Sequence, residues 1–153
     1  YAEFDPSTDV QPGTENLPIS GVSHQEALDF STWLAEVTGR PFRLPTTMEA
    51  EKLSKLAGTE GNTLDRWADY RPNPEDRAAI LAAVAARPGV SLLKPVGSLA
   101  GTGHDPIFDL DGNVAEWATV EDGEGKAIGA SADRSSVTEP PDPAYIGFRV
   151  IVD

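Results

Sequence analysis

Apolar residues recur at helical spacing in the first half of the chain. Ser23 and Glu26 form the pattern of a capping box, apolar residues follow three to four positions apart, and Gly39 ends the pattern. These features predict a helix over residues 24–38. A second helix start lies at residues 46–49 (TTME), directly after a proline, and its pattern runs to Gly58.

A third helix is predicted from its N-terminal residues. Asn73 is a favourable cap, Pro74 suits the first helical position, and two acidic residues follow in the first turn. The body of this helix runs to Arg87. Beyond it, short apolar pieces alternate with Gly, Asp and Pro, which predicts short strands and long ordered loops. These pieces are residues 92–93, 95–96, 107–108, 128 and 145–152.

The domain organisation follows from this change of pattern. Residues 1–17 are polar and contain closely spaced Pro and Gly, so we predict a linker or the end of a preceding helix. Residues 18–153 are predicted to form one loop-rich α+β domain with about three helices in its first half. The chain begins at Tyr1, without Met and without a leader pattern, so it is expected to be a piece of something longer or a processed product.

The residue composition excludes several kinds of site. None of the 153 residues is cysteine, so a disulfide framework, a thiolate metal site and a cysteine nucleophile are excluded. Only two histidines are present, which argues against a multi-histidine metal centre. Any metal site is therefore expected to consist of oxygen ligands.

The net charge of −13 argues against two classes of partner. Nucleic acids and anionic membranes both require a positive surface, which 12 dispersed Lys and Arg cannot supply. No apolar run approaches the roughly 18 residues of a membrane span, so no direct membrane insertion is expected. Solubility explains most of the acidity. However, residues 101–153 hold 11 acidic and 3 basic residues, so over half of the excess lies in this part of the chain.

Short motifs lie in a fixed order between residues 18 and 152. They are PISGVS at 18–23, GRPFRLPT at 39–46, PVG at 95–97, FDLDGNVAEW at 108–117, GAS at 129–131 and GFRV at 147–150. In this order they resemble the signature of the formylglycine-generating enzyme family, also called the sulfatase-modifying-factor domain. Ordered agreement of this kind is more specific than any single short motif.

The resemblance implies a C-type-lectin-like fold. Such a fold has a small twisted antiparallel sheet, helices packed nearby, and much irregular backbone held by hydrogen bonds and calcium. Residues 1–4 (YAEF) are similar to the end of the family's first helix. This similarity implies that the opening strands lie upstream of residue 1 and that the chain is an N-terminally incomplete copy of the fold.

The family's chemistry is the main point of departure. Members that oxidise sulfatases use a pair of cysteines shortly after the gly-gly-ser turn, which bind copper and carry electrons to oxygen. On this chain those positions fall near Arg134 and Glu139, and no thiol is present. Formylglycine generation is therefore not expected, and the chain is expected not to be an enzyme.

The densest group of oxygen ligands lies around residue 110. It comprises Asp105, Asp109, Asp111, Asn113 and Glu116. Calcium prefers six to eight such oxygens, but an EF-hand is excluded because Ile107 and Ala118 occupy two positions that require carboxylates. The resemblance implies a structural Ca²⁺ site made by the Asp109 and Glu116 side chains and the Gly112 and Val114 carbonyls. The alternative is a solvated acidic turn.

The remaining candidate residues favour structural roles. His104 beside Asp105 has no recognisable nucleophile for a hydrolytic triad, and His24 lies where the family has Trp, which favours packing. The resemblance implies that Arg43 and Arg149 are internal arginines that tie loops together through carboxylates or carbonyls. Residues 67–70 (WADY) and Tyr145 are expected either to line a contact surface or to be core.

Three functions remain open at this point. The leading hypothesis is a non-catalytic binding or structural module on a calcium-stabilised scaffold, with other protein chains or domains of a larger assembly as partners. The second is the substrate-side domain of a non-heme metal oxygenase similar to the ergothioneine-pathway relatives of the family. The third is a variable ligand-binding protein of the retroelement-diversified kind. An extracytoplasmic location is favoured because calcium reaches millimolar levels there.

Overall fold

The helices begin where the sequence supplies a cap. The computed structural model describes residues 1–57, 62–87, 89–99, 107–110, 112–134 and 140–153. The side-chain hydroxyls of Ser23 and Thr46 each accept a hydrogen bond from the backbone amide of the glutamate three residues later. The carboxylate of that glutamate accepts a hydrogen bond from the backbone amide of the cap residue. Within the described residues there are four α-helices: α1 (His24–Thr38), α2 (Thr47–Ser54), α3 (Thr63–Ala68) and α4 (Pro74–Ala85).

The helix predictions are confirmed for α1 and corrected elsewhere. Gly39 ends α1 with a left-handed φ of 67°. Helix α2 ends at Ser54 rather than running on to residue 58, which lies outside the described residues. Helix α4 ends two residues before Arg87. The prediction of about three helices missed α3, which is too short to give an apolar repeat, although its Asn62 cap was visible in the sequence.

Five short strands form two small sheets. β1 (Phe42–Arg43) pairs antiparallel with β5 (Ile151–Val152). In the three-stranded sheet, β2 (Ala115–Thr119) lies between β3 (Gly125–Ile128) and β4 (Ile146–Phe148). The expected antiparallel sheet is in fact mixed, because β2 pairs antiparallel with β3 but parallel with β4. β3 and β4 lie on opposite sides of β2, and β4 runs in the same direction as β2.

Several apolar pieces that were predicted as strands belong to irregular backbone. Residues 92–93, 95–96 and 107–108 form no strand. Leu92 instead lies fully buried with Leu64 and Ala132 at the centre of a core cluster. Partly buried side chains pack around this cluster: Ile80, Leu81, Val84, Leu93 and Tyr145. Burial thus explains the apolar pair at residues 92–93 without a strand, whereas Val96, Ile107 and Phe108 are exposed in irregular backbone.

The N-terminal residues pack against α1. The ring of Tyr1 stacks on Phe30 with centroids 5.5 Å apart, and Phe4 meets Phe30 edge-on at 5.6 Å. Phe30 also contacts Phe148 of β4 at 5.2 Å. Residues 1–17 form turns, and their aromatic side chains join α1 to the sheet. None of the helices in the described residues combines the length and apolar character that a membrane span requires.

A cluster of charged side chains lies beside the small β1–β5 sheet. The Arg43 guanidinium donates to Glu49 at 2.9 and 3.0 Å and to the Asp153 side chain, and it also donates to the Leu44 carbonyl. The expected contacts of Arg43 with carboxylates and a carbonyl are present, but the side chain is 38% exposed and so is not internal. Hydrogen bonds from Arg43, followed by those from Thr46, hold the pKa of Glu49 down at about 2.

Replacing Glu49 with glutamine is expected to remove part of the acid sensitivity of the fold. The folded-state pKa of about 2 lies below the ordinary value of 4.5, so the ionised carboxylate stabilises the fold fully above pH 4.5. This contribution is lost as the pH falls from 4.5 towards 2. Urea unfolding at several pH values should show a shallower loss of stability for Glu49→Gln over this interval.

The matched control is Glu36→Gln, which changes an exposed carboxylate on α1. It should keep the wild-type dependence on pH. An unchanged acid profile for Glu49→Gln would contradict the assignment of this contribution to the Arg43 cluster.

Candidate functional site

Asp109 ties two loops together beside the three-stranded sheet. Its backbone has a left-handed φ of 54°, a conformation that Asp tolerates better than most residues. One carboxylate oxygen accepts the Leu99 amide at 2.8 Å, and the other accepts the Gly97 amide. The Asp109 amide donates in turn to the Leu99 carbonyl at 2.8 Å. The backbone amides of Gly97 and Leu99 thus bind a carboxylate of their own chain.

Glu116 and Arg149 form a bidentate ion pair next to this loop. Nε and Nη2 of Arg149 donate to the two oxygens of Glu116, both at 2.9 Å. The side chains are 16% and 22% exposed, so the pair is largely shielded from water. Nη2 also donates to the Phe108 carbonyl at 3.0 Å. The expected tying role of Arg149 is therefore confirmed, and its carboxylate partner is one of the predicted calcium ligands.

Asn113 has a structural role that the sequence did not reveal. Only 1% of the residue is exposed. Its side-chain oxygen accepts the Lys94 amide and its side-chain nitrogen donates to the Lys94 carbonyl, both at 3.0 Å. The Asn113 carbonyl also accepts the Ala132 amide at 2.7 Å. Asn113 was expected to be either an oxygen ligand or part of a solvated turn, and the structure instead shows it joining two buried segments.

A groove of about 630 Å³ opens beside these residues. Asp109, Glu116 and Arg149 form its polar side. Its apolar side includes three residues with large exposed fractions, Val96 at 61%, Ile107 at 37% and Phe108 at 43%. A second cavity of about 720 Å³ shares Pro18, Val96 and Phe148 with the groove. Exposed apolar side chains next to fixed polar groups are typical of surfaces that bind a partner.

Three of the four predicted calcium residues line the same groove. The Asp109 and Glu116 side chains and Val114 all line the groove. Gly112 is buried next to them with φ 87°, and its amide donates to the Ala130 carbonyl at 3.0 Å. His104, Asp105 and Asp111 lie outside the described residues. Across the residues that are described, no three acidic or histidine side chains form a group that could hold a metal ion.

His24 packs against the sheet at the start of α1. Its ring lies 5.8 Å from the Trp117 ring, and Nε2 lies 3.2 Å from the Thr119 hydroxyl. A Cβ at Gly125 would come within 2.6 Å of the His24 Cβ, so only glycine fits there. Burial lowers the pKa of the imidazole, which favours the neutral ring. The preference for a packing role is consistent with these contacts.

A buried polar pair follows the gly-ala-ser turn. The Ser131 hydroxyl donates to the Asp133 carboxylate at 2.6 Å, and both residues are almost completely buried. The other Asp133 oxygen accepts Nε of Arg134 at 3.2 Å. Burial, and then the charge of Asp133, raises the pKa of the half-buried Tyr145.

Trp67 and Tyr70 are half exposed, so they lie at the surface, whereas Tyr145 packs on the core.

Comparison with known proteins identifies a family. The family model described as a sulfatase-modifying factor enzyme 1-like domain matches residues 3–139. No curated protein and no solved structure gave a significant match. The matched span covers most of the 153 residues and includes Asp109, Asn113 and Glu116. The chain therefore belongs to the sulfatase-modifying factor enzyme 1-like (FGE-sulfatase) family.

Proposed function

We propose that this chain is a non-catalytic binding or structural module of its family. The observation that carries the proposal is the complete absence of cysteine from the sequence. The family's oxidation chemistry depends on two thiols, and the first of their positions falls near Arg134. Arg134 lies beside the buried Asp133 and forms an ion pair with it, so this part of the chain holds a fixed positive charge and no thiolate.

The fold is part of the same proposal. We infer a C-type-lectin-like arrangement from the ordered motifs, the family match and the loop-rich α+β architecture. Such a scaffold suits binding, because long loops are fixed on a small sheet by internal hydrogen bonds. Asp109, Asn113 and Arg149 all make bonds of this kind. No observation in the described residues favours the oxygenase or the variable-protein alternative.

The groove beside Asp109 is the surface we propose for a partner within a larger assembly. Val96, Ile107 and Phe108 expose apolar area next to the Glu116–Arg149 pair. Apolar anchors beside fixed polar groups give both affinity and orientation. An extracytoplasmic location is proposed with it, because a weak calcium site fills only where calcium is plentiful.

An enzymatic assay tests the proposal directly. A peptide with a sulfatase-type cysteine motif is incubated with this protein and copper, and its mass is measured. We expect no conversion of cysteine to formylglycine, because the thiol pair is missing. A cysteine-containing member of the family serves as the positive control. Formation of formylglycine by this chain would overturn the proposal.

Calcium binding is proposed at Asp109, Gly112, Val114 and Glu116. The donor set contains only oxygen, which suits this hard cation. Each Asp109 oxygen accepts one hydrogen bond from a backbone amide, and a carboxylate oxygen has room for two acceptor contacts. The Arg149 guanidinium beside Glu116 opposes a dication, so we expect a weak site with a dissociation constant of about 10⁻⁴–10⁻³ M.

Thermal unfolding tests the calcium proposal. Millimolar calcium is expected to raise the thermal midpoint of the wild type, and a chelator to lower it again, because a ligand that binds only the folded state stabilises it. Asp109→Ala is expected to abolish this dependence on calcium. The variant should also be less stable in chelator, since the Gly97 and Leu99 amides lose their acceptor.

The deciding readout is therefore the calcium dependence and not the absolute midpoint. Magnesium serves as the control ion, because it prefers a smaller octahedral site. A wild-type midpoint that is the same in chelator and in millimolar calcium would show that the calcium assignment is wrong.

A further inference from the structure

A separate cavity of about 700 Å³ lies beside the β2–β3 hairpin. It is bounded by the C-terminal half of α2, the β2–β3 hairpin and the segment that leads into β4. Its volume falls within the range of about 300–1,000 Å³ that is typical of small-molecule sites. The Asp109 groove and this cavity have no lining residue in common.

One wall of the cavity is apolar and rigid. Trp117, Ile146 and the proline pair at residues 140–141 contribute to it. The Trp117 indole donates to the Val22 carbonyl at 2.8 Å and packs beside His24, so its ring is fixed before any ligand arrives. A flat ring and two prolines that need no ordering favour a planar apolar ligand.

The rim of the cavity is positively charged, in contrast to the rest of the protein. Three charged residues line it, Glu51, Lys55 and Lys126, which together carry a charge of +1. The whole chain carries −13. Lys126 lies 3.8 Å from Glu51, which offsets one positive charge. Within the described residues Lys55 forms no ion pair, and it lies at the end of α2.

We propose that this cavity binds a small planar apolar molecule that carries a single carboxylate. The apolar body lies against Trp117 and the prolines, and the carboxylate meets Lys55, with Lys126 next to it. A monoanion matches the rim, because Glu51 already balances one lysine and repels a second negative charge. This inference concerns a second site and goes beyond the partner surface proposed at the Asp109 groove.

A matched pair of probes tests the inference. 1-Naphthaleneacetate and its neutral amide, 1-naphthaleneacetamide, share their ring system and differ in charge. We expect both to bind in the cavity and the acetate to bind about three- to fivefold more tightly at low salt, as is typical of an exposed ion pair. Raising the ionic strength to about 1 M, where the Debye length is about 3 Å, should remove the difference.

Two lysines on the same helix provide the variant and its control. Lys55 lines the cavity, whereas Lys52 lies one turn earlier and does not. Lys55→Ala should lower acetate affinity to that of the amide and leave amide binding unchanged. Lys52→Ala should keep the full preference for the acetate. Both side chains are exposed, so neither change is expected to affect folding.

Three results would overturn the inference. They are the absence of saturable binding of either probe, equal affinity for both probes at low salt, and equal losses in Lys55→Ala and Lys52→Ala. Calorimetry with the intact chain measures all of them. Formylglycine formation bears on the proposed function alone, and probe binding bears on the cavity alone, so the two failures are distinguishable.

Discussion

Replacing Arg149 with alanine is expected to lower the free energy of unfolding by about 2–3 kcal/mol, close to the range for a broken buried ion pair. The guanidinium joins Glu116 on β2 to the Phe108 carbonyl, so one side chain holds a strand and a loop together. Its removal leaves the carboxylate of Glu116, which is only 16% exposed, without its guanidinium partner. Urea unfolding at neutral pH measures the loss.

Arg43 provides the matched control for this prediction. Like Arg149, it binds both carboxylate and carbonyl oxygens, here the carboxylates of Glu49 and Asp153 and one backbone carbonyl. However, its side chain is 38% exposed, and the side chains of both partners are equally or more exposed. Arg43→Ala is therefore expected to cost about 1 kcal/mol or less. Arg149→Lys should recover only part of the loss, because an ammonium cannot make two parallel bonds to one carboxylate. Equal losses for Arg149→Ala and Arg43→Ala would contradict the role of burial.

The contrast between these two arginines shows what the sequence alone could not supply. Both lie in family motifs, and the resemblance correctly implied that both tie loops together. Their difference in exposure depends on where the chain places Glu116 and Asp153, which are 33 and 110 residues away from their partners. Sequence spacing carries no information about such distant pairs, so the relative strength of the two clusters required the structure.

The helices were predicted well because their signals are local in the sequence. The capping boxes at Ser23 and Thr46 and the Asn73–Pro74 start act over three or four residues, so their physics is contained in the sequence itself. The end of α2 was predicted four residues too far, because no Gly or Pro stops the chain at Ser54. Helix α3 depends on packing of its buried Leu64 against Ala132, a contact between distant segments.

The residues around 110 have a different chemical description in the sequence and in the structure. The residues around 110 were read as a group of cation ligands, since their oxygen-rich composition suits calcium. In the structure the Asp109 and Glu116 carboxylates receive hydrogen bonds from backbone amides and from Arg149. Composition shows that acceptors are present, but it does not show which donors the fold brings to them. The calcium proposal agrees with these contacts if the site is weak, because the same carboxylate oxygens also accept hydrogen bonds from the protein.

Asn113→Ala is expected to destabilise the fold by about 2–4 kcal/mol, because two hydrogen bonds are lost and two backbone groups lose their partner. The side-chain amide of Asn113 pairs with the Lys94 amide and carbonyl in the way that a neighbouring strand would. This pairing joins the segment after α4 to the turn before β2. No other residue has a side-chain amide of this length, so no substitution keeps both the donor and the acceptor at this position.

Two variants separate this pairing from simple loss of volume. Asn113→Asp keeps the shape and the acceptor but removes the donor and adds a charge at a residue that is 1% exposed, so it should cost at least as much as alanine. Asn73→Ala removes an asparagine from the exposed cap of α4 and is expected to cost only about 1 kcal/mol. Hydrogen exchange gives a local readout, since the Lys94 amide should lose its protection in Asn113→Ala well before global unfolding. Full protection of that amide in the variant would show that another acceptor holds it, and the large effect assigned to Asn113 would then be wrong.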